Sequence, residues 1–240
     1  MLESRQMPEL LHVGLHAPAA LLPELAAFYG ERLGLPVVRR DVTSVAFGVG
    51  ETTLELRDAS GTPFYHVALL VPGDRFEAAY DWCRERIELL PDRETGEPVF
   101  DFTNWEARAL YFHDPAGSIV ELIAHRGIGE AGATGAFSPG ELLGVSEVGI
   151  VCDPPSLAAE LEREHQLEVW DGSVQGEGRL AFVGEQARTL ILCRAGRPWL
   201  PTGRPAEAHP VEVVLAGAPA GAVLLEGGGS IRRGEAPATG

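Results

Sequence analysis

The sequence predicts an α+β fold built from tandem βαβββ modules, and three observations predict it. A fixed order of periodic segments returns along the chain. Matching residue types recur at matching places within the first two copies. A third, degenerate copy follows a Gly/Ala-rich linker. The first copy, placed at residues 8–60, opens with LHVGLHAP at 11–18, continues through the apolar-periodic stretch ALLPELAAFYGERLGL, and ends in three short β-prone runs near 36–40, 43–49 and 52–57. The second, placed at 63–126, opens with YHVALLVP and continues through a helical stretch holding Phe76, Ala79, Tyr80 and Cys83. It closes with runs near 97–103, 107–113 and 118–124. Laid side by side, His12 falls on His66, Pro18 on Pro72, and Leu54-Glu55-Leu56 on Val120-Glu121-Leu122.

Residues 127–141 read as the linker, and the degenerate module is placed at 142–216. Its first strand is SEVGIVCDP, its helix covers about 156–166, and β-prone runs lie near 167–172, 179–184 and 188–194. Glu147 takes the place of His12 and Ile191 that of Glu55. A fourth copy begins with PVEVVLAG and puts Glu212 where a histidine would stand. Residues 217–240 are rich in Gly, Ala and Pro and read as a flexible tail.

Composition narrows the function classes. The formal charge is −16, and all 19 basic residues are arginines. Such a charge repels phosphate backbones and anionic lipid, so neither nucleic acid nor membrane is expected as a partner. No basic leader or long apolar run is visible, which gives the expectation of a cytoplasmic protein. Cys83, Cys152 and Cys193 are odd in number and widely spaced, and read as small core residues rather than disulfide partners.

Two features carry chemistry. In a strand the side chains alternate, so His66 shares a face with Ala68 and Leu70 and interrupts an otherwise apolar segment. Glu55 in TLEL and Glu121 in IVELIA are carboxylates among apolar neighbours, which is costly unless they are paired or bound to a metal. Two imidazoles and two carboxylates on the first and last strands of two repeats give an economical expectation: His12, Glu55, His66 and Glu121 converge on one cation. Their spacing suits a sheet that brings repeats together and is too long for a helical site.

At these positions the chain resembles the vicinal oxygen chelate superfamily, which includes glyoxalase I, extradiol dioxygenases and bleomycin-resistance proteins. The most specific piece is LYFHDPAGSIVE, residues 110–121, which resembles the tyrosine, Asp-Pro, Gly and ligand-Glu segment of extradiol dioxygenases. The resemblance covers residues 10–125 strongly and 142–216 weakly. It implies a half-open barrel around one divalent ion and, with this nitrogen and oxygen ligand set, iron, manganese, zinc, cobalt or nickel. It implies a small-molecule substrate that chelates the ion through adjacent oxygens, in glyoxalase-like lyase or isomerase chemistry or in ring-cleaving dioxygenase chemistry. Glu55, Glu121 and Tyr111 are then the candidate catalytic residues, with Glu55 either ligand or base. Phe102, Asn104, Trp105 and His113 are candidate cavity residues.

One departure bears on the reaction. The positions where extradiol dioxygenases carry a proton-handling histidine fall here on Phe102, Thr103 or Asn104, which weakens an ordinary catechol dioxygenase mechanism. The other reading is a metal-free small-molecule binder of the bleomycin-resistance type. With Glu147, Ile191 and Glu212 at the relevant places and no histidine to pair with them, the third module is expected to carry no metal and to serve packing or association, and modules one and two are expected to pack edge to edge within the chain or with a partner chain in a homodimer.

Overall fold

The structure is a computed structural model that describes residues 9–218 and 220–235. Strand β1, Leu10–Pro18, buries Val13, Leu15 and Ala17 on one face, and Pro18 closes it. Helix α1, Leu22–Ala27, has Pro23 in its first turn, where the missing N–H costs no helix bond, and widens into a π-helical turn over Phe28–Arg32. Strands β2 (Val37–Arg40), β3 (Ser44–Val49) and β4 (Thr52–Ala59) complete the first module. The second comprises β5 (His66–Val71), α2 (Phe76–Arg84), β6 (Phe100–Phe102), β7 (Ala107–His113) and β8 (Ile119–His125). In the third, β9 is Gly144–Val151 and α3 is Pro154–His165, the latter capped by the Asp153 carboxylate accepting from the Ser156 N–H. Strands β10 (Val169–Gly172), β11 (Ala181–Glu185) and β12 (Arg188–Cys193) finish it. The βαβββ order expected from the sequence is therefore present three times over.

A short hairpin, β13 (Pro198–Trp199) and β14 (Arg204–Pro205), leads to an abbreviated fourth unit of β15 (Val211–Leu215), β16 (Val223–Leu224) and β17 (Gly229–Arg233). The tail expected to be flexible thus carries two strands among its described residues, while 219 and 236–240 lie outside them, as does residue 8 at the start of module one. Backbone pairing supplies what composition lacks: β17 lies parallel to β15 from Val211↔Gly229 to Leu215↔Arg233, and Val223, Leu225 and the β17 residue Ile231 are buried. Apolar content alone understates order in a segment whose N–H and C=O groups complete an existing sheet.

The pairing of modules also differs from the expectation. Modules one and two do not share an edge. One sheet runs β16-β17-β15-β1-β4-β3-β2, joining the first and fourth units, and a curled eight-stranded sheet runs β10-β11-β12-β9-β5-β8-β7-β6, joining the second and third. In each case the free edge of the first strand is covered by an antiparallel partner, β15 on β1 and β9 on β5. Those partners are themselves apolar strands with edges to satisfy, and pairing β1 directly with β5 would have left them bare. Module three is therefore the structural partner of module two.

The sheets meet at the β3–β4 turn. The Glu51 N–H donates to the Leu143 carbonyl at 3.1 Å, and the Val145 N–H donates to the Thr52 hydroxyl at 2.9 Å. Gly50 makes this approach possible. Its φ is +51°, and a Cβ there would lie 2.2 Å from the Leu143 carbonyl. The main core packs α1, α2 and α3 against the sheets through Leu25, Tyr29, Phe76, Cys83, Leu157 and Leu161, with Phe47, Leu69, Phe112 and Leu190 among the strand residues. A second apolar cluster fills the inside of the eight-stranded curl, with Ala68, Leu70, Tyr111, Ile123, Ile191 and Trp199. All three cysteines are buried as free thiols.

Candidate metal centre

The second cluster surrounds charged groups. Strand pairing sets Tyr111 beside Glu121, Glu121 beside Ala68, Ala68 beside Glu147 and Glu147 beside Thr189, a single row across β7, β8, β5, β9 and β12. Registered partners point to the same side of a sheet, so the two carboxyl groups flank the small Ala68 side chain. His66, two residues before Ala68, shares that face. One ligand atom each from His66, Glu121 and Glu147 can be chosen so that all lie within 4.8 Å of one another, and all three residues are buried. His66 Nε2 is 3.0 Å from Glu121 Oε2, and His66 Nδ1 has no partner.

The β7–β8 turn aims Glu121. Asp114 accepts from the backbone N–H groups of Ala116 and Ser118, each at 2.9 Å, and its other oxygen accepts from the Tyr29 hydroxyl at 2.9 Å. Gly117 provides the left-handed residue, φ +80°. The Asp-Pro-x-Gly segment therefore ties the turn before the glutamate to the first module.

Burial decides the ionisation. It pushes the Glu121 carboxyl up to about 8, against a hydrogen bond from Tyr111 that favours the charged form. Glu147 is likewise raised to about 8, by burial first and then by the charge of Glu121. Burial takes His66 down to about 4. Near neutral pH the cluster is therefore a neutral imidazole beside two reluctant acids. Two converging carboxyl groups, a buried ring with an unpartnered nitrogen and no carboxylate-paired cation among the cavity's described residues form a donor set that fits a divalent ion.

The cluster opens into a cavity of about 80 Å³ lined by Phe102, Trp105, Tyr111, Phe182, Trp199 and Arg197, among others. Trp199 stacks on His66 at 5.2 Å between ring centroids, Trp105 meets Phe182 edge-on at 4.5 Å, and Phe100 meets Tyr111 edge-on at 4.9 Å.

The expected quartet is divided. His12 and Glu55 lie in the seven-stranded sheet, apart from His66 and Glu121, and no three-residue group that includes them meets the same distance criterion among the described residues. Both Glu55 oxygens are taken: Arg39 holds one and Arg57 Nη2 donates to the other at 2.7 Å, with His12 Nε2 3.5 Å away. Burial would raise the Glu55 pKa, but the hydrogen bonds and charges of Arg57 and Arg39 outweigh it and hold the carboxyl below its ordinary value. Arg57 also reaches Glu212 at 2.8 Å. The two-sheet topology is the reason for the division, because each first strand finds its partner in a different later unit.

Of the expected cavity residues, Phe102 and Trp105 line the cavity while Asn104 and His113 are exposed and do not. His113 Nδ1 instead lies 3.2 Å from the Ser118 carbonyl oxygen, within the β7–β8 turn. The third module, expected to carry no metal and to serve packing or association, lines the cavity with Glu147, Phe182 and Ile191, and Arg197 and Trp199 join them from beyond β12. The signal for Glu147 was in the sequence. It is an acid inside the apolar strand SEVGIV at the place of His12, and the argument applied to Glu55 and Glu121 applies to it equally.

No protein-family model matches the chain, and no curated protein matches it. Solved structures do. A candidate dioxygenase from Bacillus subtilis is similar at TM-score 0.59 and 14% identity, over 98% of this chain and 87% of that one. Glyoxalase I from Zea mays is similar at TM-score 0.51 and 14% identity, and its V278E mutant at 0.52 and 15%, each over 95% of this chain and 92% of the maize chain. At these identities the likeness is one of fold: the chain shares the mixed α+β fold, with its curled eight-stranded sheet, of these dioxygenase and glyoxalase structures.

Proposed function

We propose that the chain is a metal-dependent enzyme that binds a divalent ion through His66, Glu121 and Glu147 and acts on a small substrate chelating that ion through adjacent oxygens. The observation that carries this reading is the Tyr111–Glu121–Ala68–Glu147–Thr189 row with His66 on the same face. An imidazole with two carboxylates suits manganese, zinc, iron, cobalt or nickel. Bound there, the ion would supply Lewis-acid stabilisation of the negative charge that develops on the substrate oxygens.

The chain's own residues divide the remaining work. His66, kept neutral by burial, offers a lone pair at neutral pH. Tyr111 is raised well above 10 by burial and by Glu121, so its hydroxyl stays protonated and acts as a hydrogen-bond donor. Glu121, ionised once an ion is held, is the group suited to take a carbon-bound proton, while the hydrogen bond from Tyr111 favours its charged form. Phe102, Trp105, Phe182 and Trp199 exclude water from the proton in transit. Among the described residues His66 is the single histidine lining the cavity, which favours proton transfer of the lyase or isomerase kind over ring cleavage.

Metal analysis of chain purified without added metal, followed by divalent-ion titration, tests the reading. The expected result is one ion per chain, lost in His66→Ala. Oxygen-uptake assays and turnover of a methylglyoxal–thiol adduct then separate the two chemistries. Small-molecule binding with no specific metal uptake would replace the reading by that of a metal-free binder.

A further inference from the structure

Arg197 lines the same cavity and stands out among its walls. It is half-buried, and desolvation lowers its pKa. It has no carboxylate partner among the described ion pairs. Its Nη1 donates to the Pro198 carbonyl at 2.7 Å and its Nε to the Gly178 carbonyl at 3.3 Å, while Nη2 has no hydrogen-bond partner among the described residues. Trp199 supports the guanidinium, with a centroid distance of 5.9 Å. Apart from Glu121 and Glu147, every other cavity-lining side chain is uncharged at neutral pH.

Charge arithmetic over these groups is short. A divalent ion with two carboxylates and a neutral imidazole sums to zero, so the loaded cavity carries the single positive charge of Arg197. Resting on the proposed metal site, we infer that Arg197 selects a small monoanion, of the class of 2-oxo and 2-hydroxy carboxylates, with the carboxylate facing the guanidinium and the adjacent oxygen completing the chelate. A guanidinium with no carboxylate partner in a largely apolar cavity attracts a carboxylate, and Nη2 is the donor that remains for it. A cavity of about 80 Å³ limits what it encloses to a handful of non-hydrogen atoms.

The test compares pyruvate with neutral hydroxyacetone, which presents adjacent oxygens without the charge. Manganese uptake is measured first, since failure to bind manganese or another divalent ion defeats the metal reading and this inference with it. On the metal-loaded chain, calorimetry should show pyruvate binding at least tenfold more tightly than hydroxyacetone. Arg197→Met should lose at least tenfold in pyruvate affinity while hydroxyacetone and metal affinities hold, and Arg197→Lys should restore part of the loss. Thermal unfolding checks that each variant folds, with Arg197→Gln in reserve. Metal uptake without preference for pyruvate, or pyruvate affinity unchanged in a folded Arg197→Met or Arg197→Gln chain, would overturn the assignment.

Discussion

Glu212 occupies in the seven-stranded sheet the register position that Glu147 holds in the eight-stranded one. Glu212 pairs with Gly14 across β1 and β15, and Glu147 with Ala68 across β5 and β9. On the other flank Glu55 pairs with Gly14 as Glu121 pairs with Ala68, and His12 precedes Gly14 as His66 precedes Ala68. The chain thus builds one arrangement twice. In the first, Arg57 bridges Glu55 and Glu212 and Arg39 grips Glu55, so guanidinium groups supply the positive charge. In the second, the position on β8 matching Arg57 is Ile123, and the acids have no guanidinium partner among the described residues.

This relationship predicts the effect of removing the arginines. Arg39→Leu with Arg57→Met leaves Glu55 as a buried acid without a cation. Urea unfolding should show a loss of about 3 kcal/mol, toward the low end for a broken buried pair because both guanidinium groups reach solvent. Adding Glu55→Gln to that background should recover part of the loss. With Glu55 intact, divalent ions should stabilise the double variant more than the parent and raise the binding stoichiometry above that of the parent. An unchanged unfolding midpoint would show that the arginines do not compensate the acid.

Glutamine substitutions separate the two sites. Glu147→Gln removes one of three donors and should weaken metal affinity by at least tenfold, whereas Glu55→Gln should leave metal affinity within a factor of two of the parent. Competition against a fluorescent chelator measures both. The reverse ranking would return the ligand set to the first module.

Much of this was legible from alternation and repetition. The module order, the strand limits to within a few residues and the placement of His66 and Glu121 on one sheet face follow from local patterns. Partner choice does not. His12 and His66 stand on equivalent strands, and nothing in HVGLHA or HVALLV states whether the open edge will meet its twin or a later strand. The later strands SEVGIV and VEVVL were visible as copies of the first strand, but an acid at the histidine position reads as decay until pairing brings Glu147 beside Ala68. The order of the tail is hidden from composition for a related reason: GSIRR is unremarkable by itself and acquires order from the β15 backbone.

That order should be measurable at Ile231, which is fully buried. Ile231→Ala removes packing against the core and should cost about 2–5 kcal/mol in urea unfolding. Metal affinity should remain at the parent value, because Ile231 belongs to the other sheet. A loss below about 0.5 kcal/mol, the range of an ordinary surface substitution, would mean that β17 does not contribute to the fold in solution.

His125 supplies the pH dependence that can be isolated most cleanly. It is wholly buried at the end of β8, stacked at 6.5 Å on Trp105, with Nδ1 3.4 Å from the Gln186 amide nitrogen and Nε2 unpartnered. Burial takes its pKa down to about 4 from 6.5, partly opposed by a hydrogen bond involving the Trp105 backbone. Between those values the unfolded chain binds the proton more readily than the folded one. The stability associated with neutral His125 is therefore complete above about pH 6.5 and is lost as pH falls toward 4, by on the order of 3 kcal/mol at most. His66 titrates over the same window, so the comparison must be a difference between chains. His125→Phe keeps a ring against Trp105 and removes the titration, so the stability gap between parent and variant should shift in favour of the variant as pH is lowered from 7 to 4. A gap independent of pH in urea unfolding would mean that His125 takes up its proton in the folded chain as readily as in the unfolded one.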